Sequence, residues 1–97
     1  AAGNTALVIT AQSESAGGFD FTSARMISEG KLAVRYGLIE VRMKTPDVAG
    51  GLWPAFWMMG ETEDTWPLRG EIDIMEMGLA AEQREKYGAA AADVNTY

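Results

Sequence analysis

The sequence predicts an all-β protein, a sandwich of short strands. Three observations carry that expectation. Apolar residues recur at alternate positions in several runs, the period of a strand with one buried face. Turn-forming residues, among them Gly17-Gly18, Gly30, Pro46-Asp47, Gly50-Gly51 and Gly70, separate those runs. Only residues 80–87, stopped by Gly88, carry a pattern suited to a helix.

Taken in order, residues 7–12 alternate Leu7, Ile9 and Ala11 with Val8, Thr10 and Gln12, and predict a first strand. Gly17-Gly18 predicts a turn, residues 21–28 a second strand ended by Gly30. Residues 36–44 show the clearest alternation, with Ile39, Val41 and Met43 on one side and Leu38, Glu40, Arg42 and Lys44 on the other. Residues 52–59 form an apolar run. As a strand it places Trp53, Ala55, Trp57 and Met59 on one face and Phe56 and Met58 on the other. Pro54 inside it predicts an edge, a bend or a bulge. Residues 71–77 predict the next strand and 94–97 the start of another. Strands this short and numerous fit a β-sandwich.

Composition narrows the chemistry. The chain has 97 residues, 8 basic and 14 acidic side chains for a net charge of −6, and no Cys or His. Disulfides, His/Cys metal centres and Ser-His-Asp or Cys-His nucleophile systems are therefore excluded within it. An acidic surface repels phosphate backbones, so no nucleic-acid partner is expected. No run of about 20 apolar residues is present, so no membrane-spanning helix is expected either. No basic-then-apolar leader is visible. The start at Ala1 and the end at Tyr97 in a strand-like run predict a piece of a longer protein.

The informative segment is Gly70-Glu71-Ile72-Asp73-Ile74-Met75-Glu76. In regular alternation Glu71, Asp73 and Met75 share a face and Glu76 lies on the other. On that plain structural reading the first two acids face solvent and Glu76 ends the strand. One extra residue at Ile74 or Met75 reverses the phase and returns Glu76 to the face of Glu71 and Asp73. Four effective steps then separate the two glutamates by roughly 13 Å along the backbone. Side chains leaning together over Asp73 close this to roughly 5–6 Å, the separation of a retaining glycosidase; an inverting pair sits wider. Asp73 between them raises the proton affinity of at least one neighbour by like-charge repulsion, and can hold one by sharing a proton.

Trp53, Trp57 and Trp66 lie close to these acids in sequence. Each alone reads equally well as core. Together with three carboxylates they fit a sugar cleft, in which indole faces stack on pyranose rings. Arg69 either orients a sugar hydroxyl or a carboxylate, or lies on the surface. Glu40 and Arg42 either form a cross-strand ion pair, the favoured structural reading, or face the cleft. The spacing of Glu61, Glu63 and Asp64 matches no EF-hand, so these read as a solvated loop. No metal site and no cofactor is expected, and no residue pattern supports a structural calcium ion.

The residues also carry a family likeness. Thr22-Ser23-Ala24-Arg25, then Tyr36-Gly37-Leu38-Ile39-Glu40-Val41-Arg42, then Gly51-Leu52-Trp53-Pro54-Ala55-Phe56-Trp57-Met58-Met59-Gly60, Trp66-Pro67 and the Glu71–Glu76 segment follow one another as in glycoside hydrolase family 16. The chain resembles that family's laminarinase-like (endo-β-1,3-glucanase) members. The resemblance implies a concanavalin-like β-jelly-roll sandwich, of which 1–97 is part of the catalytic domain. It implies Glu71 as nucleophile, Asp73 as its supporting acid and Glu76 as acid/base. It further implies Trp53, Trp57 and Trp66 as sugar-stacking walls. The six-residue acid motif is the family's bulged form; the unbulged form lacks one residue at Ile74 or Met75.

The leading expectation is thus a secreted or periplasmic enzyme that cuts β-glucan (β-1,3 or mixed β-1,3-1,4) internally with retention. Its partners would be the polysaccharide and the remainder of its own domain. A non-catalytic glucan-binding module on the same sandwich is the alternative, opposed by the presence of both Glu71 and Glu76. An interaction fragment with no sugar site is a third reading.

Overall fold

A computed structural model describes residues 5–48, 50–78 and 85–86, and the backbone of 92–96. Its strands form two small antiparallel sheets. In the first, β1 (Gln12–Ala16) pairs with β2 (Phe19–Thr22). The Gly17-Gly18 turn between them has φ of 60° and 87°. Two consecutive positive φ values define the tight hairpin turn whose twist matches its strands, and glycine adopts them without steric cost.

In the second sheet β3 (Ala55–Met59), β4 (Glu71–Met77) and β5 (Ala92–Thr96) lie in that order, with β4 in the centre. The strand expected at 71–77 therefore forms over those residues. The strand expected at 94–97 begins two residues earlier. The one expected at 52–59 begins later, at Ala55, because Pro54 has no N–H to give to a ladder. Pro54 instead accepts at its carbonyl from Met77 N at 3.0 Å, closing the sheet just outside the strand.

The N-terminal expectations need larger corrections. Residues 7–11 are not strand, and β1 starts at Gln12. The second strand covers Phe19–Thr22 rather than 21–28. Residues 36–44 form no ladder among the described residues. Their alternation survives as exposure: Ile39 is 37% exposed and Leu38 82%. All of 36–44 is exposed, and no neighbouring strand among the described residues supplies hydrogen bonds to it. Of the helix expected at 80–87, only Glu85 and Lys86 fall among the described residues, and both have helical backbone.

Val48 and Met77 are the buried apolar side chains among the described residues, while Leu7, Phe19, Phe21, Leu32 and Leu68 are exposed. The radius of gyration is 15.8 Å, against about 13 Å for a compact domain of this size. Among the described residues, β1 and β2 are exposed almost throughout, whereas β3 and β4 are half-buried, with Met77 and Asp73 buried.

Candidate active site

Strand pairing fixes which side chains share a face. β3 pairs with β4 as Met59↔Glu71, Met58↔Ile72 and Trp57↔Asp73, and then, one residue out of step, as Phe56↔Met75 and Ala55↔Glu76. Ile74 is the residue left over. The same shift appears on the other side, where Asp73 faces Asn95 and Glu76 faces Asp93, two residues against one between them. This is a β-bulge on the central strand. Ala55, Trp57 and Met59 alternate regularly on β3 and so point one way. Their partners Glu76, Asp73 and Glu71 point the same way. The acids thus share a face with Trp57.

The three carboxylates sit in different surroundings. Asp73 is 1% exposed, and its Oδ2 has no hydrogen-bond partner. Glu71 is half-buried at the entry to β4. Burial pushes its pKa above the ordinary 4.5, and the negative charge of Asp73 raises it further, with a smaller push from Glu76. A hydrogen bond from the Trp66 side chain opposes the rise, because an N–H favours the ionised carboxylate. A Glu71–Asp73 hydrogen bond adds to it, since two carboxyl groups join only through a proton. Glu76 accepts from Trp53: Nε1 to Oε1 is 2.7 Å.

The three tryptophans therefore converge on the acids by different routes. Trp57 comes by strand register, Trp66 by its hydrogen bond to Glu71, and Trp53 by its hydrogen bond to Glu76. Trp53 and Trp66 remain 63% and 56% exposed, so their rings are open to a ligand. Arg69 takes another direction. Its Nε donates to Gly60 O at 2.9 Å and its Nη2 meets Glu29 Oε1 at 3.3 Å. The Glu29 side chain is 62% exposed, and such a bridge contributes only about 0–1 kcal/mol.

Gly60 and Gly70 close the neck of the β3–β4 hairpin. Gly60 N donates to Gly70 O at 2.9 Å, and a Cβ on Gly60 would lie 1.7 Å from Arg69 O. No residue but glycine fits that crossing without moving the backbone. Beyond it, Thr62 Oγ1 donates to Asp64 Oδ2 at 3.0 Å, so the acidic loop bonds within itself.

Arg25 had no role assigned from sequence. Its guanidinium lies over the Trp57 ring, 4.7 Å from the centroid, a cation–π contact worth about 0.5–1 kcal/mol when exposed. The signal was present in Thr22-Ser23-Ala24-Arg25, but nothing local in the sequence linked that segment to the acids. Arg25 covers one face of Trp57.

Three carboxylates thus share one face of a bulged central strand, bordered by indoles. The family model described as "XgeA-like, catalytic GH16 domain" matches residues 2–90. The chain belongs to glycoside hydrolase family 16. It is 41% identical over 78 residues to a beta-glucanase of Rhodothermus marinus, covering 76% of this chain and 27% of that protein. It is 43% identical over 72 residues to the clotting factor G alpha subunit of Tachypleus tridentatus, covering 72% of this chain and 10% of that one. It is 47% identical over 57 residues to a beta-1,3-glucan-binding protein of Penaeus monodon, covering 57% and 15%. The chain thus spans about a quarter or less of these relatives. No solved structure matches it.

Proposed function

We propose that this chain carries the catalytic centre of an endo-acting β-glucanase that cleaves β-1,3 or mixed β-1,3-1,4 linkages with retention. The observation that supports it most is the bulge at Ile74, which sets Glu71, Asp73 and Glu76 on one face. In this reading Glu71 attacks the anomeric carbon while Glu76 gives a proton to the departing glycosidic oxygen. The glycosyl–Glu71 ester is then opened by a water that Glu76 deprotonates. The nucleophile must be ionised. Burial and Asp73 oppose that, Trp66 favours it, and a proton shared with Asp73 holds the Glu71 carboxylate in place.

The sheets are read as part of a jelly roll, in a domain completed by further chain, and the protein as secreted or periplasmic because its polymer substrate lies outside cells. Trp53, Trp57 and Trp66 wall the cleft. The beta-glucanase from Rhodothermus marinus supports hydrolysis. The beta-1,3-glucan-binding protein from Penaeus monodon supports binding without cleavage as the second reading.

The experiment is product analysis by proton NMR on laminarin and lichenan. The expected first product is the β-anomer, with Glu71→Gln lowering kcat by about 10⁴-fold and Glu76→Gln by about 10²–10⁴-fold. An α-anomer first would overturn retention. Retained binding with no cleavage by the intact protein would establish the binding module.

A further inference from the structure

Trp53 makes a contact that a sugar-stacking wall does not require. Its Nε1 donates to Glu76 Oε1 at 2.7 Å, a short bond for an N–H donor. Its seat is built from backbone. Pro54, the next residue, accepts from Met77 N at 3.0 Å, which ties the Trp53 main chain to the residue after Glu76. The Trp53 ring lies against Gly78. A Cβ there would sit 3.3 Å from both Cδ2 and Cε3 of the indole and 3.0 Å from Leu52 O, and Gly78 has φ +100°. A buried glycine in a conformation that L side chains avoid thus leaves room for the indole beside Glu76.

We propose that Trp53 is a positioning residue for Glu76, its N–H engaging Oε1 so that Oε2 is the oxygen that exchanges the proton with the substrate. This rests on the reading of Glu76 as acid/base. The chemistry follows from the donor inventory. A protonated carboxyl has one carbonyl-like oxygen that only accepts and one hydroxyl oxygen that donates. An indole N–H can only donate, so it favours the form with the carbonyl oxygen at Oε1 and the proton on Oε2. In the first half-reaction the Oε2–H bond breaks as a new O–H bond forms on the glycosidic oxygen. That oxygen takes the electron pair of the breaking C–O bond while the Glu71 carboxylate forms the ester. In the second half-reaction water loses a proton to Oε2 as its oxygen bonds the anomeric carbon and the ester C–O pair returns to Glu71. Trp53 holds Oε1 through both.

Trp53→Phe keeps one stacking ring and removes the N–H along with the second ring of the indole, so comparison of two substrates, rather than the loss of rate alone, isolates the N–H. In the intact protein, kcat on β-glucan should fall about tenfold or more with KM little changed. On a dinitrophenyl β-oligoglucoside, whose leaving group departs without a proton, cleavage to the ester should stay within about twofold. Equal losses on both substrates, or no loss on either, would overturn the positioning role. Glu76→Ala on the same two substrates tests the underlying assignment. If it shows no leaving-group bias, Glu76 is not the acid. If it shows the bias and Trp53→Phe does not, only the role of Trp53 fails. A readout independent of turnover is the indole N–H resonance that Trp53→Phe removes: it should move upfield in Glu76→Ala, and an unmoved resonance would refute the contact.

Discussion

Both hairpins carry a bulge, and only one uses it. In β1–β2 the register runs Gln12↔Thr22 and Ser13↔Phe21, then slips to Ala16↔Phe19, leaving one extra residue on β1. The strand is exposed along its length, and Glu14 there takes a hydrogen bond from Thr22 Oγ1. In β3–β4 the slip falls at Ile74, on a strand paired on both sides, and carries Glu76 onto the face of Asp73 and Glu71. A bulge redirects whatever follows it. The redirection matters on β4 because both neighbours hold the strand to its new phase and because three acids lie within its reach.

The sharpest way to break this comparison is to exchange Met75 and Glu76, as Met75→Glu with Glu76→Met. Charge and composition stay constant, yet the carboxylate moves to the position paired with Phe56, on the opposite face. Turnover on β-glucan should fall by about 10²–10⁴-fold. Deleting Met75 instead leaves Glu-Ile-Asp-Ile-Glu, which reaches one face by plain alternation, and activity should survive far better than in the exchange. Next in size is Gly60→Ala. Its Cβ meets backbone at the hairpin neck, so unfolding by denaturant should show a loss of more than about 2 kcal/mol.

The pH dependence comes third. Glu71 holds its proton more tightly in the folded protein than in the unfolded chain. Its contribution to stability is full below the ordinary value of 4.5 and is lost as pH rises through the raised folded value. Glu71→Gln should remove that loss and raise Tm at neutral pH relative to the parent; an unchanged Tm would mean that burial and the Asp73 charge do not tighten the hold of Glu71 on its proton. The smallest effect belongs to the other hairpin. Gly18→Ala at φ 87° should cost roughly 1–2 kcal/mol and leave turnover unchanged.

The acid strand was legible in sequence because one local pattern encoded it. Ile72, Ile74 and the turn at Gly70 marked the strand; alternation alone put Glu76 on the other face, and the bulge was implied by the resemblance to glycoside hydrolase family 16. Residues 36–44 were equally patterned but form no ladder. Alternation shows only that a segment could serve as a strand; a ladder also needs a neighbour to bond, and that neighbour is not encoded nearby. The same limit hid Arg25, which meets Trp57 from 32 positions away. It also hid the second use of Trp53: spacing suggested an aromatic wall, but the direction of an indole N–H follows from the backbone at Leu52 and Gly78.

The Gly60–Gly70 neck has a consequence for how this site can be redesigned. It acts as a mechanical isolator. Gly60 N bonds Gly70 O, and Arg69 grips Gly60 O from within the loop, so β3 and β4 are already in register before the chain departs toward Trp66. A loop spliced in between Gly60 and Arg69 would inherit a fixed acid spacing whatever its length. Trp66, which that loop carries, donates to Glu71, so a replacement loop must return a donor at that place while leaving the strand register untouched.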